Sequence, residues 1–139
     1  MGRLSLTGTE VDDNFFVNLR RKLKRITQLD LDSTNVTDVG LSTISMFRSL
    51  RELDLAYCDI SDKGLQHLVK LVNLTDLVVA SCEIITNTGP VHISKMKKLT
   101  YLDIRSNQLI TDDGLVPIMT LPSLTSLYLQ CCNALTDRS

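Results

Sequence analysis

Residues 50–65 read Leu50-Arg51-Glu52-Leu53-Asp54-Leu55-Ala56-Tyr57-Cys58-Asp59-Ile60-Ser61-Asp62-Lys63-Gly64-Leu65. Leu53 and Leu55 alternate with polar neighbours, which suits a short strand with one buried face. Ser61-Asp62 offers side-chain oxygens to the orphan N–H groups of a helix start, and Leu65, Leu68 and Leu71 then recur at i, i+3 and i+6 on one helical face. Gly64, two residues past the Asp, lets that first turn pack tightly. Between strand and helix stands Cys58, a small side chain placed to serve the backbone of a loop leaving the core.

The same phrase fills the chain. The pattern L-x-x-L-x-L begins at Ile26, Leu50, Leu74, Leu99 and Leu124, in steps of 24, 24, 25 and 25 residues. Unrelated segments do not hold such a phase. The second half of the phrase returns as Val36-Thr37-Asp38, Ile85-Thr86-Asn87, Ile110-Thr111-Asp112 and Leu135-Thr136-Asp137. A weaker copy stands in front, with Met1, Leu4 and Leu6 on the strand anchors and Phe15, Phe16, Leu19 and Leu23 on its helix. The chain therefore divides into a partial repeat at 1–25, repeats at 26–49, 50–73, 74–98 and 99–123, and a truncated repeat at 124–139, all within a single domain. No unit buries its apolar side alone, so the units must stack. The expected architecture is an α/β solenoid, with parallel strands on one side and helices on the other.

The unit L-x-x-L-x-L-x-x-C-x-x-I-T-D-x-G-L resembles the leucine-rich repeat family, in particular its cysteine-containing subfamily, over essentially the whole chain. That resemblance implies a curved right-handed solenoid with strands on the concave face and helices on the convex face. The best-known members are substrate receptors of F-box ubiquitin ligases, which implies an adaptor role in protein recognition. The sequence departs from the phrase at Thr34 and Asn107, where Cys is usual, and at Pro90, where Leu is usual.

Composition agrees with a folded chain that buries Leu, Ile and Val: 43% of residues are hydrophobic and only 4% aromatic. A net charge of −1 gives no global pull toward nucleic acid or membrane. No apolar stretch approaches the ~20 residues of a spanning helix, and the N-terminus has no secretory h-region. The chain reads as intracellular, in the cytoplasm. Asn35-Val36-Thr37 and Asn73-Leu74-Thr75 match the glycosylation sequon, which has no consequence in that compartment.

Chemistry-bearing residues find bland roles. Cys58, Cys82 and Cys132 share one repeat position and read as buried structural side chains. Strands about 4.8 Å apart do not exclude a Cys58–Cys82 bridge, but a reducing compartment favours free thiols. Cys131 lies outside that column and is the candidate reactive thiol. His67 and His92 read as surface residues of separate helices. No phosphate-binding loop, nucleophile elbow or zinc phrase occurs. The reading is of a non-enzymatic chain without metal or cofactor.

The polar strand positions face away from the core, onto the concave side. There Asp30, Asp32, Glu52, Asp54, Asp76 and Asp103 form an acidic stripe, and Tyr57, Tyr101 and Tyr128 are all the tyrosines in the chain. Tyrosine gives wide contact with a polar tip at low entropic cost. These nine residues are the candidate binding site for a protein partner presenting a basic segment. The run Arg20-Arg21-Lys22-Leu23-Lys24-Arg25 closes the first helix and reads as a solvated convex edge, with Lys70, Lys95, Lys97 and Lys98 at the equivalent loops. Without interleaved aromatics it makes a poor nucleic-acid surface. The alternative to recognition is a structural subunit docking by its convex face or its ends. Because the chain starts inside one repeat and stops where a helix should begin, the ends are expected either to continue into further repeats or to stack on another subunit or copy.

Overall fold

The computed structural model describes residues 2–130, 132 and 134–136 of the chain. Strands β1 (Arg3–Ser5), β2 (Gln28–Asp30), β3 (Glu52–Asp54), β4 (Asp76–Val78), β5 (Tyr101–Asp103) and β6 (Ser126–Tyr128) alternate with helices α1 (Asp13–Leu19), α2 (Asp38–Ile44), α3 (Asp62–Leu68), α4 (Thr88–Ile93) and α5 (Asp112–Ile118). The strands form one sheet in chain order. Every neighbouring pair is parallel, and Leu4, Leu29, Leu53, Leu77, Leu102 and Leu127 oppose one another across it. From Leu29 to Leu102 this column is at most 2% exposed. The solenoid expected from the period is present, and successive helices pack on one another along the opposite side.

Helices are shorter than the apolar spacing predicts. Leu41, Ile44 and Phe47, like Leu65, Leu68 and Leu71, are buried together. Yet α2 ends at Ile44 and α3 at Leu68, so the third member of each set lies on the turn that follows. Phe47 N–H donates to the Ile44 carbonyl at 2.9 Å and Leu71 N–H to the Leu68 carbonyl at 2.9 Å, which holds the tighter i→i+3 winding for one more turn. The first unit does the same: α1 ends at Leu19, with Leu23 packed against the core from the following turn and the basic run around it exposed. That run therefore follows the helix rather than closing it. Pro90 stands in the first turn of α4, where proline is tolerated, but it forgoes the bond that the equivalent Leu41 and Leu65 donate to the Thr37 and Ser61 carbonyls at 3.1 and 3.3 Å, and α4 starts one residue later in its unit, at Thr88.

The repeated Asp and Gly serve the junction between units. Thr37 donates its N–H and its hydroxyl to the Asp13 carboxylate at 2.8 and 2.6 Å. Ser61 does the same to Asp38 at 2.8 and 2.5 Å, and Thr86 to Asp62 at 3.0 and 2.7 Å. Thr136 repeats the pattern on Asp112. The start of one helix thus anchors the start of the next. Gly40, Gly64 and Gly114 leave room for this carboxylate or amide, because a Cβ there would collide with an oxygen of Asp13, Asp38 and Asn87 respectively.

Below the sheet, the Cys column lies at a second junction. The Cys58 thiol donates to the Leu31 carbonyl of the preceding unit at 3.1 Å, and Cys82 to that of Leu55 at 3.3 Å. Asn107 takes over the role with its amide, donating to the carbonyls of Val79 and Ile104 at 2.9 Å each while its oxygen accepts the Cys82 N–H at 3.1 Å. Cys58, Cys82 and Cys132 are buried and free. Burial pushes the Cys82 thiol up to about 12. Met1, Cys131 and Asp137 fall outside the described residues.

Candidate functional site

Alternation in each strand sends the central leucine inward and its two polar neighbours onto the open face of the sheet. Two adjoining depressions follow. One, of about 330 Å³, runs over β1 to β5 and is lined by Asp30, Glu52, Asp54, Asp76, Val78 and Tyr101, with Arg3 at its edge. The other, of about 420 Å³, lies toward the strand ends, among Asp32, Asp54, Tyr57, Tyr101, Asp103 and Arg105. Eight of the nine residues singled out in the sequence line one or both, and the ninth, Tyr128, stacks on Tyr101 with ring centroids 5.2 Å apart.

The acidic residues divide by task. Asp30, Asp54 and Asp103 each accept the backbone N–H two residues on, from Asp32, Ala56 and Arg105, at 3.2, 2.9 and 3.0 Å. They close the turn that leaves each strand and at the same time face the groove. That turn takes a left-handed residue in each of the first five units: Gly8, Ser33, Tyr57, Ser81 and Ser106 all have φ between +55° and +65°. Tyrosine is the bulkiest of these and the least suited to that conformation.

Charge is unevenly compensated across the groove. Asp103 is 2% exposed and bonded by the Arg105 guanidinium, with Nη2 to Oδ2 at 2.6 Å. Its carboxylate already has a cation, so an incoming cation has less to gain there than at Asp54. Among the described residues, Asp54 has no cationic partner. Burial, and after it the like charges of Asp30, Asp32 and Asp103, push its carboxyl above the ordinary 3.8. Asp30 goes the other way: burial would raise it, but bonds from the Thr7 side chain, the Asp32 N–H and Ser5, together with nearby Arg3, bring it below 3.8. Asp76 accepts the Thr75 hydroxyl at 2.5 Å, and Glu52 accepts the Gln28 amide at 2.7 Å.

At the β5–β6 end the face changes character. Tyr101 and Tyr128 pack at 39° to each other, diagonally across the strand pair, and the Arg105 guanidinium sits 5.6 Å from the Tyr128 ring centroid. Burial, then the charge of Asp103, raises the Tyr101 hydroxyl. Arg105 is the groove residue that sequence reasoning passed over. The signal was present in Asp103-x-Arg105, since residues two apart in extended chain share a face. Tyr57 stands apart from this pair, 66% exposed at the rim.

Other chemistry is sparse. Among the described residues, no cluster of His, Cys, Asp and Glu is arranged to hold a metal ion, and no helix is long and apolar enough to cross a membrane. His67 and His92 lie on α3 and α4, one in each. Burial and the charge of Lys95 lower His92, whose Nδ1 is buried without a partner.

Parallel strands in chain order, backed by helices that pack on one another, define a solenoid repeat protein. The family model for the Leucine Rich repeat matches residues 25–45, 48–69, 95–119 and 120–139, more than half of the chain, and the chain belongs to that family. Leucine-rich repeat domains are in general protein-interaction modules rather than catalysts. Among solved structures, internalin C2 from Listeria monocytogenes is similar over 100% of this chain and 55% of its own, at 27% identity and a TM-score of 0.80. The ectodomain of the Arabidopsis receptor kinase HAESA, in complex with a peptide hormone, is similar over 91% of this chain and 21% of its own, at 21% identity and a TM-score of 0.67. Actin-binding site 2 of leiomodin-1 shares 18% identity over 90% of this chain and 79% of its own, with a TM-score of 0.66. The latter two likenesses are of fold alone. The chain spans about half of the internalin and about a fifth of the receptor ectodomain. No curated protein matches it.

Proposed function

We propose that the chain binds a protein partner along its concave face, taking a basic, extended segment across β2 to β4 and an apolar or aromatic side chain against Tyr101 and Tyr128. The uncompensated charge around Asp54 carries this reading: a carboxylate held above its ordinary range by burial and like charges gains from an incoming cation. The receptor ectodomain that binds a peptide hormone supports the reading by analogy of fold. So does Tyr57, a bulky exposed residue in a left-handed conformation that its siblings reach with Ser or Gly. The cysteine-containing phrase makes the substrate-recognition arm of a ubiquitin-ligase adaptor, in the cytoplasm, the first setting to test.

The test is selection of binders from a random peptide library on the intact chain, followed by titration of the selected peptide against variants. Tyr57→Gly relieves roughly 1 kcal/mol of left-handed strain against about 0.5 kcal/mol of added chain entropy. It should therefore keep or slightly raise the urea midpoint while weakening the peptide by tenfold or more. Selection of acidic peptides, or unchanged affinity in both Tyr57→Gly and Asp76→Asn, rejects the reading.

A second reading rests on the apolar surface around β6, where Leu124, Leu127 and Leu129 are only partly buried and Met119, in the return loop before the strand, is 77% exposed. On it the chain docks by that end on another subunit or a second copy. Light scattering across a concentration series separates the two, since only end docking changes the mass.

A further inference from the structure

The near-zero net charge conceals a strong separation. Five return loops carry the chain from helix to strand, at residues 20–27, 45–51, 69–75, 94–100 and 119–125. They hold eleven of the fifteen Lys and Arg residues and not one Asp or Glu. The first contributes the Arg20–Arg25 run, the second Arg48 and Arg51, the third Lys70 and the fourth Lys95, Lys97 and Lys98. All are exposed. Among the described residues none of them has a carboxylate partner, the single ion pair being Arg105 with Asp103. The opposite loops, from strand to helix, carry Glu10, Asp12, Asp32, Asp59 and Glu83 with Arg105 as their one cation. Because the strands are parallel and in register, all return loops leave on the same edge of the sheet. The solenoid therefore has one basic edge and one acidic edge.

The basic edge also has an apolar floor. Arg20, Arg21 and Lys24 surround a depression of about 490 Å³ over Met46 and Phe47. Two units on, Lys95, Lys97 and Lys98 surround another of about 250 Å³ over Val69, Leu71 and Val72. Met46 is 55% exposed and Val72 60%. Cations above exposed apolar groups, repeated along one edge, complement a surface whose phosphates lie above acyl chains. Nucleic acid is the poorer fit, since every tyrosine is on the sheet face, Phe16 and Phe47 are fully buried and Phe15 packs against the core from α1, leaving no exposed aromatic ring among these cations.

We infer that the return-loop edge is a docking surface for an anionic lipid bilayer. The segregated charge sets the orientation: the acidic loops point away from the membrane, and the concave groove opens sideways, free for its own partner. A net charge of −1 averages the two edges away.

The experiment is co-sedimentation of the chain with vesicles of phosphatidylcholine alone and of phosphatidylcholine with phosphatidylserine. Binding should require phosphatidylserine and fall as salt is raised. Lys95→Gln, Lys97→Gln and Lys98→Gln should each reduce partitioning about fivefold, while Asp59→Asn and Glu83→Gln on the opposite edge leave it unchanged or improve it. Met46→Ser with Val72→Ser should weaken vesicle binding without changing retention on a polyuridylate column. These positions are exposed, and circular dichroism checks that each variant folds. Failure to sediment with phosphatidylserine vesicles at low salt overturns the inference. So does tight polyuridylate binding combined with vesicle binding indifferent to Met46 and Val72, which assigns the edge to nucleic acid.

Discussion

Asp30 and Asp54 occupy the same repeat position, make the same turn-closing bond, and differ in what surrounds them. Asp30 lies below its ordinary value of 3.8, so its ionised form is favoured by folding; that contribution is present above pH 3.8 and is lost as pH falls through the lower folded value. Asp54 lies above 3.8, so ionising it works against the fold, and stability from this group declines as pH rises through the raised value. The substitutions should therefore part company at neutral pH. Asp54→Asn keeps an oxygen for the Ala56 N–H and sheds repulsion, so stability stays within about 0.5 kcal/mol or rises. Asp30→Asn loses a charge-assisted acceptor of the Thr7 and Ser5 side chains and should cost about 1 kcal/mol. Urea denaturation of both variants at pH 7 and near pH 3 checks the pair; equal effects at both pH values would remove the assignment.

The junction between units supplies the next test. In the units led by Thr37 and Ser61, the hydroxyl donates to the preceding carboxylate and accepts the N–H of Val39 or Lys63, so it caps its own helix while tying it back. Asn87 breaks this arrangement. Its amide donates to the Thr111 hydroxyl at 2.7 Å, and Thr111 makes no side-chain cap to α5. Asn87→Asp restores a carboxylate that accepts the Thr111 hydroxyl proton, which frees a lone pair to cap α5 and places a negative charge at a helix start. The variant should gain about 0.5–1 kcal/mol in urea denaturation. Gly64→Ala acts in the opposite sense, driving a methyl into the Asp38 oxygen. It should cost more than the ~1 kcal/mol by which alanine otherwise favours a helix.

At the scale of the molecule, stability depends on neighbours, since each unit buries its leucine column against the units on either side. Leu77 is fully buried between β3 and β5, whereas Leu127 of β6 is only partly buried. Leu77→Ala should cost about 3–5 kcal/mol, and Leu127→Ala markedly less. Amide exchange should follow the same gradient, with slowest exchange in β3 and β4. Uniform protection across all six strands would contradict a stack that loosens at its last strand.

The period of leucines alone determined the parallel solenoid, because a stretch of one strand and one short helix has no other way to bury one face of each. It also determined which residues share the open face, since a strand admits only two sides. The sequence could not show that the repeated Gly makes room for the carboxylate of the unit before it. Nor did net charge reveal that cations and anions collect on opposite edges. Those outcomes depend on distances between residues some 24 positions apart, and only the stacking of complete turns brings such residues within reach of one another.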